Sequence, residues 1–144
     1  MKFYFFDTSA LVKRYHGETG SDNVDRIFDQ KDRAIVISNI TITEMISAFK
    51  RKENAGEIGF ETMELLVSKF FADILAEFVV LELTDEHIKE SIRLVTERNL
   101  RTLDALQLGT ALEIKGVGCI FVSADKNLCE TAKNEEMQIM NPED

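Results

Sequence analysis

The chain contains four acidic residues whose sequence contexts would bring their carboxylates together in space: Asp7, Glu44, Asp104 and Asp125. Asp7 directly follows the apolar run Phe3–Phe6, and Asp125 follows a second apolar run at 119–124. The other two stand near the starts of two stretches with helical patterns. Because ligand sites in open parallel sheets form beyond the carboxyl ends of the strands, we expect all four side chains at one edge of a sheet.

Carboxylates grouped in this way repel one another unless a divalent cation neutralises them. Oxygen ligands of this kind suit Mg²⁺ or Mn²⁺. A metal-bound water ionises more readily than free water and can attack a phosphodiester in line, so the pattern predicts metal-assisted chemistry on phosphate. No covalent route competes with it. The chain lacks a Gly-x-Ser-x-Gly motif and a cysteine beside a suitable histidine, and both His16 and His87 read as surface residues.

Each acidic residue also has an interpretation that requires no metal. Aspartate is a good N-cap, so the two aspartates that follow apolar runs could simply begin the next helix. The segment from Thr41 to Glu44 matches a capping box, in which the glutamate reaches back to the first amide of its helix. Asp104 lies in a helix that is apolar on most sides, and Arg101 at i−3 is its nearest ionic partner. The hypothesis of a metal site therefore depends on the four residues together.

Length and composition indicate one folded domain. The chain has 144 residues, of which 44% are hydrophobic and 30% are charged, and no stretch approaches the roughly 18 apolar residues of a membrane span. The net charge of −9 argues against broad non-specific binding of nucleic acid but allows a phosphate contact within one site. No secretory signal is visible, so we expect a cytoplasmic protein without a membrane partner.

Strand and helix patterns alternate along the chain, as they do in proteins with a parallel α/β sheet. Continuous apolar or β-branched runs predict strands at 2–6, 34–37, 78–81, 119–123 and, as a fifth, 137–139. Helical periodicity predicts helices at 11–15, 21–30, 41–53, 60–77, 84–98 and 101–115, with another short helix after the fourth strand. We therefore expect an α/β fold with a central parallel sheet of four or five strands and a loose tail at 141–144.

Four stretches of the sequence resemble the motifs of one protein family: FDTSAL at 6–11, ITE at 42–44, LRTLDA at 100–105 and FVSAD at 121–125. In this order they are similar to the PIN-domain ribonucleases of the VapC type, the toxins of bacterial and archaeal toxin–antitoxin pairs. The resemblance spans residues 2–139. It implies one PIN-like domain over 1–144 with a three-layer α/β/α fold. It also implies a metal-dependent endoribonuclease that hydrolyses RNA phosphodiester bonds.

The resemblance further implies roles for individual residues. The catalytic, metal-binding set of the family would correspond to Asp7, Glu44, Asp104 and Asp125. Thr8, Ser9 and Ser123 would be the small hydroxyl residues that orient carboxylates or water. Some members of the family carry another acidic residue just after the last motif, where this chain has Lys126 and Asn127. The number of Mg²⁺ or Mn²⁺ ions therefore stays open between one and two.

Candidate contacts with a substrate and with partners lie in several separate segments of the chain. Arg14 closely follows the first motif and Arg101 flanks the third, so both could meet phosphates of an RNA substrate. Tyr15 is the candidate for stacking on a base. The predicted helix at 60–77 is apolar on more than one side. An exposed part of it would suit a homodimer or a helix of a cognate antitoxin, as the resemblance also implies.

Three alternatives compete with a nuclease. The first is a catalytically inactive PIN-like module that binds RNA or protein without cutting. A phosphoacceptor receiver domain would need an acidic pair after the first strand. A phosphatase of the haloacid dehalogenase type would need a second aspartate two residues after the first. Thr8 and Ser9 follow Asp7 instead, which disfavours the last two alternatives.

Overall fold

Five parallel strands form the central sheet of the protein. The computed structural model describes residues 1–144 and contains, in chain order, β1 (Lys2–Phe6), β2 (Arg33–Ser38), β3 (Phe78–Leu81), β4 (Ile120–Val122) and β5 (Gln138–Met140). The order across the sheet is β3-β2-β1-β4-β5, and every neighbouring pair is parallel. The chain therefore starts at the centre, fills one side of the sheet, and then crosses β1 to fill the other. The predicted parallel sheet is confirmed.

Seven α-helices connect and cover the strands: α1 (Thr8–Leu11), α2 (Ser21–Phe28), α3 (Asn39–Asn54), α4 (Phe60–Ala76), α5 (Asp85–Arg98), α6 (Thr102–Leu112) and α7 (Lys126–Asn134). Two 3₁₀ turns follow α1 and α6, at Val12–Arg14 and Lys115–Val117. The predicted helices match these elements, except that the first helix begins earlier than predicted and ends in the first 3₁₀ turn. No helix is both long enough and apolar enough to span a membrane.

Both faces of the sheet are buried, which explains the continuous apolar runs of the strands. Side chains alternate along β1, so Tyr4 and Phe6 belong to the core on one face and Phe5 to the core on the other. The first core lies under α1 to α4 and includes the fully buried Phe70. The second lies under α5 to α7, and there Phe5 stacks on Phe121 with ring centroids 5.8 Å apart. This is the expected three-layer α/β/α arrangement.

The N-termini of α3 and α5 show how side chains set helix boundaries. Ser38 caps α3 by accepting a backbone hydrogen bond at 3.3 Å. Thr41 lies inside that helix and is fully buried, so the capping box predicted for Thr41 and Glu44 is wrong. In α5, Thr84 accepts from the His87 amide at 3.2 Å, and His87 Nδ1 accepts from the Thr84 amide at 3.1 Å. His87 is 3% exposed, so the prediction of a surface position for it is wrong.

The C-terminal tail is held against the domain, whereas the sequence predicts a loose segment at 141–144. Asn23 Nδ2 donates to the Pro142 carbonyl at 2.7 Å, and Lys13 Nζ pairs with Glu143 at 2.8 Å. Gly20 has a φ of +91°, and a β-carbon there would lie 2.9 Å from the Pro142 carbonyl oxygen. Only glycine fits this position without strain. Because Lys13 lies in the 3₁₀ turn that follows α1, these contacts join the chain end to the segment next to the first acidic motif.

Candidate active site

Four carboxylates from four separate segments line one cavity, called here the carboxylate cavity: Asp7, Glu44, Asp104 and Asp125. Its volume is about 340 Å³. Asp7 follows β1, and Asp125 begins α7 just after β4. Glu44 comes from α3 and Asp104 from the first turn of α6. The cavity thus lies beyond the carboxyl ends of β1 and β4, where the winding of the sheet changes direction, as the sequence predicts.

Asp7 is the most buried of the four, with 5% of its surface exposed. It caps α1, because its Oδ1 accepts from the Ala10 amide at 3.0 Å. Oδ1 also accepts from Ser9 Oγ at 2.8 Å, and Oδ2 accepts from Ser123 Oγ at 2.6 Å. Burial raises the pKa of Asp7 to about 6, because the three hydrogen bonds only partly offset the lost hydration. The nearby charge of Asp104 adds a small further increase to this pKa.

Ser9 and Ser123 link the end of β1 to the end of β4. Besides donating to Asp7, Ser9 Oγ accepts from the Ala124 amide at 3.0 Å. Ser123 Oγ accepts from the Asp125 amide at 3.1 Å. Each hydroxyl therefore holds the Asp7 carboxylate and the connection from β4 to α7 at the same time. Removing either hydroxyl would leave both a buried carboxylate and a backbone amide with one partner fewer.

Glu44 is oriented by two donors that act on the same oxygen. Its Oε1 accepts from Thr8 Oγ1 at 2.9 Å and from Gln107 Nε2 at 2.7 Å. Its Oε2 accepts no hydrogen bond from the protein, so one carboxylate oxygen is left for a ligand. Outer partners that fix the direction of a carboxylate in this way are typical of metal ligands. Thr8, Ser9 and Ser123 thus all contact acidic residues of the cavity.

Gln107 belongs to the site although no motif in the sequence indicates it. Its Nε2 also donates to Thr41 Oγ1 at 2.7 Å, so both amide hydrogens are used. The Glu44 carboxylate fixes the orientation of this amide, because the reversed amide would place an oxygen against it. Gln107 is 3% exposed, and its buried Oε1 has no partner. The only signal in the sequence is a glutamine in a mostly apolar helix, one turn after Asp104.

The pKa of Asp104 responds to the charges of three neighbouring residues. Burial raises its pKa above the ordinary value, repulsion from Asp125 and Glu44 raises it further, and the positive charge of Arg101 opposes these effects. The carboxylates of the cavity are therefore close enough to repel one another. Asp125 also caps α7, because its Oδ1 accepts from the Leu128 amide at 3.0 Å. Asp125 is therefore both a helix cap and part of the cavity lining.

The donor set of the cavity fits a hard divalent cation. Its charged lining consists of the four carboxylates and one arginine, without histidine or cysteine, and oxygen donors suit Mg²⁺ or Mn²⁺ better than Zn²⁺. No group of three or more histidine, cysteine, aspartate or glutamate side chains is drawn together tightly enough to hold an ion as it stands. Without a cation, mutual repulsion keeps the carboxylates from approaching more closely. The cavity therefore offers suitable ligands but no preformed coordination sphere.

The two arginines predicted to contact substrate lie in different places. Arg101 lines an adjoining cavity that shares three of the four acidic residues with the carboxylate cavity. Arg14 lines neither cavity. It pairs with Asp25 at 2.7 Å, and its guanidinium carbon lies 4.6 Å from the centre of the Phe28 ring. Only Arg101 is therefore placed to reach a ligand of the site.

Tyr15, predicted to stack on a base, is part of the core. It is 8% exposed, and its ring packs edge-on against Phe49 and Phe70. Its hydroxyl donates to Asp73 Oδ2 at 2.7 Å. The prediction of a stacking role for Tyr15 is therefore wrong, because the aromatic face is already covered by protein.

The sequence matches one protein family over most of its length. The model of the family described as PIN domain matches residues 4–134. No curated protein matches the chain at a significant level.

Several solved structures share the fold. "PAE2754 from Pyrobaculum aerophilum" is 23% identical, with a TM-score of 0.69 over 99% of this chain and 85% of that one. A "toxin-antitoxin complex from Klebsiella pneumoniae" is 17% identical, with a TM-score of 0.67 over 96% and 97% of the two chains. VapC20 of Mycobacterium tuberculosis, a "Sarcin-Ricin loop cleaving toxin", is 16% identical, with a TM-score of 0.66 over 89% and 94%. At these identities the likeness establishes a common fold.

Replacing Asp7 with asparagine should stabilise the metal-free protein at neutral pH. The folded pKa of Asp7, about 6, lies above the unfolded value of 3.8. Asp7 therefore opposes folding progressively as the pH rises from about 4 through 6, and below that range its effect vanishes. We expect Asp7→Asn to raise the free energy of unfolding by up to about 3 kcal/mol near pH 7.5, and by little near pH 4. Urea titrations in EDTA at several pH values measure this difference.

Asp29→Asn is the matched control, because Asp29 is exposed at the C-terminal end of α2 and does not line the cavity. Its effect on the free energy of unfolding should stay within about 0.5 kcal/mol at every pH. Asparagine remains a good N-cap, so the first turn of α1 should persist in Asp7→Asn. A lower stability of Asp7→Asn than of the wild type near neutral pH would contradict the account.

Proposed function

Because this chain belongs to the PIN domain family, we propose that it is a metal-dependent endoribonuclease, the toxin component of a type II toxin–antitoxin system. The observation that carries the proposal is the meeting of four carboxylates from separate segments in one cavity. None of them forms a salt bridge, and Arg101 only partly offsets the repulsion at Asp104. Helix capping by Asp7 and Asp125 does not explain the grouping, because the carboxylates repel one another and burial is unfavourable for the charges of Asp7 and Asp104. A bound divalent cation would offset the repulsion and so account for the grouping of the four carboxylates.

The proposed ligands are Asp7, Glu44, Asp104 and Asp125, with one or two Mg²⁺ or Mn²⁺ ions. A bound ion would supply Lewis acidity, which promotes ionisation of water and offsets negative charge on phosphate. The chain itself contributes orientation. Ser9 and Ser123 hold the Asp7 carboxylate, and Thr8 and Gln107 turn one oxygen of Glu44 toward the cavity. None of the acidic residues needs to act as a nucleophile.

RNA is the proposed substrate. The site lies in an open cavity bordered by α3, α6 and α7, so a strand can reach the carboxylates from solvent. Arg101 is the proposed contact with a substrate phosphate, because it lies next to Asp104 without an ion-pair partner of its own. The description of the similar VapC20 as a toxin that cleaves the sarcin-ricin loop supports RNA over other phosphodiesters. We place the reaction in the cytoplasm.

Two exposed apolar surfaces support the proposed protein partners. On α4 the surface consists of Phe60, Leu65, Phe71 and Leu75, and Leu75 is 90% exposed. On α5 it consists of Ile88, Ile92 and Val95, at helical spacing along one stripe. Large apolar side chains exposed together on one helix are a feature of protein interfaces. We propose that one surface forms a homodimer and that the other receives a cognate antitoxin, in keeping with the toxin–antitoxin complexes of the same fold.

Purified protein should cleave a circular single-stranded RNA in the presence of Mg²⁺ or Mn²⁺, and EDTA should abolish the cleavage. A circle has no ends, so its opening identifies an endonuclease. Asp104→Asn should lose at least about a hundredfold in rate, because a carboxylate ligand is replaced by a weaker one. Asp29→Asn changes the net charge equally but lies outside the cavity, so its rate should equal that of the wild type.

Two results would count against the nuclease. Equal rates for the wild type and Asp104→Asn would remove the carboxylates from the mechanism. Stable binding of RNA without cleavage, across several divalent ions, would favour the alternative of a catalytically inactive PIN-like module that binds RNA or protein.

Sedimentation at micromolar concentration should show a dimer for the wild type. One of the two variants, Leu75→Glu on α4 or Ile92→Glu on α5, should dissociate the dimer, and the other should not. The reason is that a charge buried at an apolar interface is unfavourable. The variant that remains dimeric then identifies the surface left for the antitoxin. A monomeric wild-type mass would contradict the homodimer.

A further inference from the structure

The carboxylate cavity is the middle part of a longer groove. On one side it continues into a cavity of about 320 Å³, with which it shares Val12, Ala48 and Arg51. On the other side it continues into a cavity of about 490 Å³, with which it shares Leu103 and the acidic residues other than Asp7. The groove therefore runs past the carboxylates instead of ending at them. A polymer could lie along it with chain extending on both sides of the site.

One arginine lines each arm of this groove. Arg51, in the last turn of α3, is the only basic residue of the carboxylate cavity and also lines the first arm. Arg101, just before α6, lines the second arm. About 10 Å of helix separates Arg51 from Glu44 along α3. Lys52 also lines the first arm, but it is paired with Glu18 and Glu57. Arg51 and Arg101 are therefore the two basic groups of the groove without a carboxylate partner.

Neither arginine is paired with a carboxylate, and Arg26 is the one other arginine in the same state. Most of the other arginines form ion pairs within the protein: Arg14, Arg33, Arg93 and Arg98. Arg51 instead donates from Nη1 to Ser47 Oγ at 2.8 Å, and Ser47 itself lines the carboxylate cavity. In a protein with a net charge of −9, two unpaired guanidinium groups beside an acidic site are available to an anion from outside.

We infer that Arg51 and Arg101 bind the phosphates on either side of the phosphodiester that is cut, so that a single strand lies along the groove. The inference rests on the proposed function and makes it more specific. Arginine is suited to the task, because its planar guanidinium donates two parallel hydrogen bonds to phosphate oxygens. Contacts on both sides of the scissile position allow an internal phosphodiester to be held without any strand end. The sequence did not indicate this role for Arg51. It predicted only a basic residue near the C-terminus of a helix, where its charge interacts favourably with the helix dipole.

Binding of a labelled single-stranded RNA of roughly 12 nucleotides tests this inference. Measured in Mg²⁺ with Asp104→Asn as the common background, Arg51→Ala and Arg101→Ala should each weaken binding roughly fivefold. Each should also reduce the slope of log K against log salt by about 0.7, and the double variant by about 1.4. In the active protein both should raise KM for RNA more than they lower kcat. Arg51→Lys should retain most of the salt dependence.

Arg26→Ala is the matched control, because Arg26 is exposed and forms no ion pair but lies on α2, outside the groove. It should leave the affinity and the salt slope unchanged. Equal affinities and slopes for Arg51→Ala, Arg101→Ala and Arg26→Ala would overturn the inference, even if the wild type cleaves RNA. Specific losses at Arg51 and Arg101 in a protein that never cleaves would support the groove and contradict the nuclease.

Discussion

The buried charge of Asp7 is the constraint around which the site is built. Asp7 stands at the carboxyl end of the central strand, 5% exposed, and burial raises the pKa of its carboxyl group to about 6. A residue that served only as a helix cap would be more stable at the surface, where water could solvate it. Its three hydrogen bonds to Ser9, Ser123 and the first turn of α1 hold the charge in place without neutralising it.

Charged side chains have neutral partners inside this site and ionic partners outside it. Elsewhere, buried or half-buried ions are paired: Lys13 lies between Glu18 and Glu143. Arg93 and Arg98 both hold Glu135, and their hydrogen bonds and charges lower the pKa of that carboxyl group. In the carboxylate cavity, by contrast, the partners of the acidic groups are hydroxyls, backbone amides and the Gln107 amide. Neutral donors fix direction but leave the negative charge in full, which is the state that a cation requires.

The parts of this structure that were predictable are those that neighbouring residues determine. The run before Asp7 identifies β1, and the aspartate after it marks a strand end, so both are local features. Gln107 was not predictable, because its role depends on Glu44, 63 positions away. Tyr15 was misjudged for a similar reason: its hydroxyl partner Asp73 is 58 positions away. A lone polar residue in an apolar pattern shows that a partner is needed but does not identify it.

The proposed activity requires that a cation relieve the repulsion among the carboxylates. The most direct measurement is the unfolding temperature of the wild type near neutral pH as Mg²⁺ or Mn²⁺ is added. A ligand that binds only the folded state raises the free energy of unfolding by RT ln(1 + [L]/Kd), and the unfolding temperature rises with it. We expect a clear rise for the wild type that continues with the logarithm of the ion concentration above Kd, and a smaller rise for Asp104→Asn. An unfolding temperature that neither ion changes would contradict the central claim.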